Sequence, residues 1–141
     1  MILVDTGPLV ALFDPGDPDH DRCRRSLRRQ REPLCATVPV LTEAFHPLSP
    51  GSRGSSALRE FFVRRGATLF FLDVAAIARA FELMERYADQ PMDLADASLV
   101  VAAERSGTRR ILTLDHRHFE VYRIRHGHRE RTFQVIRCGG S

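Results

Sequence analysis

Apolar positions along the chain fall into two alternating kinds of segment: short unbroken runs, and longer stretches where they recur every three or four residues. Ile2 to Val4, Leu34 to Ala36, Thr68 to Leu72 and Ile111 to Leu114 are too short for helices and read as buried strands. The stretches between them carry helical spacing. Leu9 to Phe13 forms a short first helix: Thr6 can cap it, Gly7 leaves room for the turn and Pro8 suits its first position. Asp17 and Pro18 start a second, with Cys23 and Leu27 as a narrow apolar stripe. Thr37 and Pro39 cap and open a third, running to about His46, in which Val40, Leu41, Ala44, Phe45 and Leu48 make the apolar arc and Glu43 stands at its border. Pro47, Pro50, Gly51, Gly54 and several serines form a loop. Leu58, Phe61 and Phe62 mark a fourth helix, with Gly66 placed as a C-cap. Asp73 caps a fifth, whose expected core face is Val74, Ile77, Phe81 and Met84. Thr132 to Ile136 supplies a last, peripheral strand.

One stretch departs from this amphipathic pattern. From Leu94 onward the apolar residues Leu94, Ala95, Ala97, Leu99, Val100, Val101, Ala102 and Ala103 cover every side of a helix that Gly107 closes, which marks a wholly buried element. Asp93 and Asp96 stand at its head, three residues apart and on one face, where free backbone N–H groups and the helix dipole favour negative charge. Two roles are open to them: a cap with its N3 partner, or a pair of acids aimed into the protein.

Strands alternating with helices imply an α/β fold with a mostly parallel central sheet, right-handed crossovers and helices on both faces. A length of 141 residues is one ordinary domain, 1–141. No apolar run approaches a membrane span. The segment MILVDTGPLVALF lacks a basic leader region and carries Asp5 in its middle, so it reads as folded structure and the expected location is cytoplasmic. Cys23, Cys35 and Cys138 lack metal-ligand spacing and read as reduced structural thiols.

Charge narrows the chemistry. All 21 basic residues are arginine, which removes mechanisms that need a lysine, such as a P-loop or a Schiff base. A net charge of +3 permits a nucleic-acid partner without requiring one. Six of those arginines lie in the ten residues from Arg22 to Arg31. Arg22, Arg25 and Arg29 share a helix face that is either solvated or a set of phosphate contacts.

The acids carry the sharper signal. Parallel sheets bind ligands at the carboxyl ends of their strands. Asp5 and Asp115 each directly follow a strand, and Glu43 and Asp96 lie in helices entered from that same edge. Four carboxylates, with Asp93 a possible fifth, can therefore meet in one cleft, where they repel unless a cation neutralises them. Hard oxygen ligands suit Mg²⁺ or Mn²⁺, and acidic sites holding such ions hydrolyse phosphodiesters without a nucleophilic side chain.

These residues carry a resemblance to the PIN-domain nucleases, especially the VapC-like toxins of toxin–antitoxin pairs. It rests on VDTGPLVALF with Asp5, LTEAF with Glu43, DLADASLVVAAE with Asp96 and ILTLDHRHF with Asp115, and it spans essentially the whole chain. The resemblance implies a three-layer α/β/α domain, a site that binds Mg²⁺ or Mn²⁺, and cleavage of RNA. It makes Asp5 and Asp96 the primary metal ligands, with Glu43 and Asp115 completing the site, Asp93 an added acid or a cap, and Thr6 an orienting hydroxyl. It also implies a homodimer bound by a small antitoxin. Many relatives carry an acid where this chain has His118, which leaves one bound ion as open as two. The pairs His116/His118 and His126/His128 lack further soft ligands for zinc and read as solvent-facing or near RNA. The alternative of another class is a catalytically idle PIN-like module that binds RNA or a protein.

Overall fold

Ile2–Val4, three consecutive and fully buried aliphatic residues, form the central strand β1 of the computed structural model, which describes residues 1–138. The last three residues of the domain expected over 1–141 lie outside the described residues. Helices α1 (Thr6–Phe13) and α2 (His20–Arg29) lead to β2 (Leu34–Thr37), and α3 (Val38–Ala44) and α4 (Arg53–Val63) lead to β3 (Ala67–Phe70). Helices α5 (Val74–Arg86) and α6 (Leu94–Ser106) then precede β4 (Arg110–Thr113). After α7 (His116–Val121) come β5 (Arg123–His126), β6 (Arg129–Thr132) and β7 (Gln134–Arg137).

Among the described residues five strands form one sheet in the order β3-β2-β1-β4-β7, and each neighbouring pair is parallel. The chain steps outward from β1 to β3 and then jumps back to β4. With right-handed crossovers that reversal puts α1, α2 and α4 on one face and α5 and α6 on the other. The α/β layering expected from the alternation is thus the observed one. A separate antiparallel hairpin, β5 with β6, lies outside the main sheet. Among the described residues no helix is long and apolar enough to cross a membrane.

Helix α6 is the element around which the rest packs. Ala97, Ser98, Leu99, Val100 and Ala102 are inaccessible, and contacts reach it from α5, α3, β2 and β5. Gly107 ends it with φ 78°, a left-handed conformation that a side chain would disfavour. Its amino end is tied to the sheet by Thr37 Oγ1, which lies 2.6 Å from Ser98 Oγ. Thr37 also caps α3 as expected, accepting from Val40 N.

Several local expectations are corrected. Asp5, not Thr6, caps α1, because its Oδ1 accepts from Thr6 N; the helix therefore begins at Thr6 rather than near Leu9. The second helix starts at His20, since the Asp17 carboxylate turns back onto Asp19 N and holds the chain in a turn. Gly66 is not the left-handed residue after α4; Arg65 is, with φ 59°. Glycine is required at 66 for space, since a Cβ there would come within 2.3 Å of the Phe61 ring.

The core face of α5 is Ala76, Ala80 and Leu83, whereas Val74 and Phe81 are 87% and 57% exposed. Small residues at 76 and 80 face α6, and of the expected arc Val74 and Phe81 turn outward while Ile77 and Met84 are half-buried, Met84 against the core. Asp73 caps the helix, as expected. The peripheral strand expected over Thr132 to Ile136 is edge strand β7, while α7 and the hairpin were not anticipated.

Candidate acidic site

Two strands and two helices deliver the acids to the carboxyl edge of the sheet. β1 ends at Val4 and Asp5 follows, its backbone N–H donating to Leu112 O of the neighbouring β4 at 3.0 Å. Both its carboxylate oxygens are engaged: Oδ1 accepts from Thr6 N and Oδ2 from Thr113 Oγ1, each at 2.8 Å. Asp5 is 8% exposed, and burial pushes its pKa up to about 6 against the lowering effect of those two donors, with the charges of Asp115 and Asp93 pushing the same way as burial.

Asp96 occupies the first turn of α6. Desolvation first, then the charges of Asp93 and Asp5, raise its carboxyl to about 7, while a hydrogen bond from Tyr122 works in the opposite direction. Asp93 is the N-cap, its Oδ1 accepting from Asp96 N at 2.8 Å. Capping and membership of the cluster, posed as alternatives, are therefore compatible: Asp93 caps while its charge acts on Asp5, Glu43 and Asp96.

Glu43 projects from α3 toward the same edge. Thr6 Oγ1 donates to its Oε2 at 3.3 Å, so Thr6 orients Glu43 rather than Asp5 through its hydroxyl. Burial and the nearby Asp93 raise the Glu43 carboxyl. Asp115 caps α7, accepting from His118 N, and its own N–H donates to Thr113 Oγ1 at 2.9 Å. His118, which stands where an acid was expected from the resemblance, has its Nδ1 2.5 Å from Asp115 Oδ2. Of the histidines read as solvent-facing or near RNA, His126 and His128 are exposed and His118 is half-exposed while engaging Asp115; for His116 the solvent-facing part is corrected, since its Nε2 is buried without a partner among the described residues.

The predicted acids are thus brought into one another's field, and Thr113 and Tyr122 join them. The first signal for Thr113 was its place two residues before Asp115; Tyr122 carried none, being one aromatic residue in a segment with no helical period. Arg22, Arg25 and Arg29 lie apart on the exposed face of α2. That helix runs from the carboxyl end of β7, where Ser26 Oγ donates to Arg137 O and Cys23 meets Cys138, toward Gln30, which accepts from Arg110 at the start of β4. Arg22 is hence nearest the acidic edge and Arg29 farthest from it.

The donor set fits a hard divalent cation. The charges acting most strongly on Asp5 and Asp96 are those of other carboxylates, an arrangement that a cation relieves. As placed, no three Asp, Glu, His or Cys side chains among the described residues surround a common point closely enough to hold an ion.

A sequence profile of the PIN domain matches residues 2–124. Ribonuclease VapC26 of Mycobacterium tuberculosis (strain ATCC 25618 / H37Rv) is 32% identical over 124 residues, spanning 86% of this chain and 92% of its own length. The crystal structure of VapC20 from the same species, described as a sarcin-ricin loop cleaving toxin, aligns with a TM-score of 0.72 and 19% identity over 79% of this chain and 87% of that one. Likeness at that identity is likeness of fold.

Proposed function

Since this chain belongs to the PIN-domain family, we propose that it is an endoribonuclease of the VapC type, the toxin of a toxin–antitoxin pair, and that its activity depends on Mg²⁺ or Mn²⁺. The observation that carries the reading is the crowding of Asp5, Glu43, Asp93, Asp96 and Asp115 at one sheet edge, with Asp5 and Asp96 raised to about 6 and about 7. The 32% identity to a protein named as a ribonuclease supports the same reading.

Asp5 and Asp96 would hold the ion, with Glu43 and Asp115 completing the acidic site. When bound, a divalent ion there supplies a water of lowered pKa and offsets negative charge on the phosphate. The chain's own residues prepare the place. Thr113 fixes Asp5 from one side and the Thr6 N–H from the other. Thr6 Oγ1 steadies Glu43, and Asp93 capping holds the first turn of α6, and with it Asp96, in place. Arg22, Arg25 and Arg29 contribute phosphate contacts along α2. Like other proteins of this type the chain would act in the cytoplasm as a homodimer and be restrained by a small antitoxin protein.

Incubating the pure protein with a panel of structured RNAs, a sarcin-ricin loop oligonucleotide among them, with Mn²⁺ and with or without EDTA tests the reaction. Chelator-sensitive cleavage is the expected result. Its absence across the panel would favour the idle binding module. Light scattering showing only monomer at high micromolar concentration would remove the dimer.

A further inference from the structure

The segment after Asp115 carries a buried phenol that the site chemistry above leaves unused. Tyr122, the C-cap of α7, is inaccessible to solvent, and its ring is held on three sides. Tyr87 and Phe119 meet it edge-on, with centroids at 5.1 and 5.2 Å, and the His118 ring lies parallel to it at 6.1 Å. Phe119 is itself buried against Phe133 at 5.3 Å. A phenylalanine at 122 would make all of these ring contacts. It would lack only the hydroxyl, which donates to Asp96 Oδ2 at 3.1 Å.

A buried tyrosine hydroxyl needs a hydrogen-bond partner, and a backbone group is a common one. Neighbouring Tyr87 uses one, though as acceptor, its hydroxyl oxygen receiving Arg123 N–H at 3.0 Å. Tyr122 instead reaches one of the clustered acids. The rest of the geometry makes that bond directive. Helix α7 begins with Asp115 as its N-cap and ends on Tyr122, so six helical residues separate Asp115 from the phenol that bonds Asp96. The ring is wedged and the carboxylate is on a short side chain, so the ring decides where Asp96 Oδ2 sits.

We infer that Tyr122 is a positioning residue for the acidic site: its phenol O–H holds Asp96 Oδ2 and leaves Oδ1 as the oxygen presented to a divalent cation. Fixing a ligand carboxylate by a hydrogen bond to its other oxygen removes rotational freedom before the ion arrives, and loss of such a bond typically weakens metal binding about 10- to 100-fold. The inference rests on the metal-site reading of Asp5 and Asp96 given above.

The experiment is an EPR titration of Mn²⁺ into the wild type, Tyr122→Phe, Tyr87→Phe and Asp96→Asn, with melting in EDTA to check folding. The wild type is expected to bind Mn²⁺ and Asp96→Asn to lose that binding. Tyr122→Phe should melt cooperatively with a Kd for Mn²⁺ raised about tenfold or more, while Tyr87→Phe binds as the wild type does. A wild type that binds no Mn²⁺, or an Asp96→Asn chain that binds it undiminished, would overturn the metal-site reading and this inference with it. If those two behave as expected, the role of Tyr122 alone is overturned by any of three results: a Tyr122→Phe affinity equal to or above wild type, equal weakening by Tyr87→Phe, or loss of cooperative melting in Tyr122→Phe, which would make the hydroxyl a structural bond.

Discussion

Thr113 Oγ1 donates to Asp5 Oδ2 at 2.8 Å while the same oxygen accepts from Asp115 N at 2.9 Å, so one inaccessible hydroxyl ties together the acids that follow two adjacent strands. Thr113→Val keeps the shape and removes both bonds, leaving the buried Asp5 Oδ2 and the Asp115 N–H without partners while Asp5 Oδ1 keeps its bond from Thr6 N. The expected cost is about 1–3 kcal/mol in urea unfolding with EDTA present, together with loss of RNA cleavage, and Thr113→Ser should restore most of both. A valine variant within about 0.5 kcal/mol of wild type would show that the hydroxyl carries no weight, since a typical hydrogen bond is worth at least that much.

Asp96→Asn separates a charged site from a cap. In a crowded acidic cluster, removing one charge relieves repulsion, so in EDTA the variant should melt at or above the wild-type temperature while cleaving no RNA. Mg²⁺ should then raise only the wild-type melting point, as expected when a ligand binds the folded state alone. A purely helix-dipole role would instead cost about 0.3–1 kcal/mol and leave the Mg²⁺ response intact. Thermal melts of the two proteins in EDTA and in Mg²⁺ distinguish these outcomes.

The raised carboxyls set a pH dependence of definite sign. Asp5 and Asp96 keep their protons in the folded chain up to about 6 and about 7, whereas in the unfolded chain they ionise near 3.8. Between those values the folded state binds more protons, so stability in EDTA is fullest below the unfolded pKa and drains as pH rises through the folded ones. Denaturant midpoints should fall between pH 4 and pH 7–8, with a flatter profile in Asp96→Asn. Because protons and metal compete for the same oxygens, the Mg²⁺-induced rise in melting temperature should be larger at pH 8 than at pH 5.5. Parallel wild-type and Asp96→Asn profiles would contradict the ionisation of Asp96 in this range.

Replacing Arg22, Arg25 and Arg29 together with glutamine tests the face of α2. If they meet phosphates, RNA binding by an Asp96→Asn background should weaken and its salt dependence become shallower, since fewer counterions are released. Filter binding across a salt series reads the slope, and an unchanged slope would mark the face as merely solvated.

Periodicity and local chemistry alone determined a good deal of this protein. An all-apolar helix with acids at its head can only be buried, and α6 is; Asp5 and Asp115 follow aliphatic runs, and both stand at the carboxyl edge of parallel strands. Capping by Asp73 and Asp93 was legible because an N-cap bond spans only three residues. Tertiary packing decided the rest. The outward turn of Val74 and Phe81 depends on which face of α5 meets α6, a choice made by the partner helix and invisible in α5 itself. Gly66 is required by the Phe61 ring rather than by its own backbone angle. Thr113 and Tyr122 acquire their roles from bonds to Asp5 and Asp96, 108 and 26 residues away along the chain. Local sequence records the torsional and capping preferences of neighbouring residues, whereas a hydrogen bond between distant elements exists only once the sheet has set their spacing.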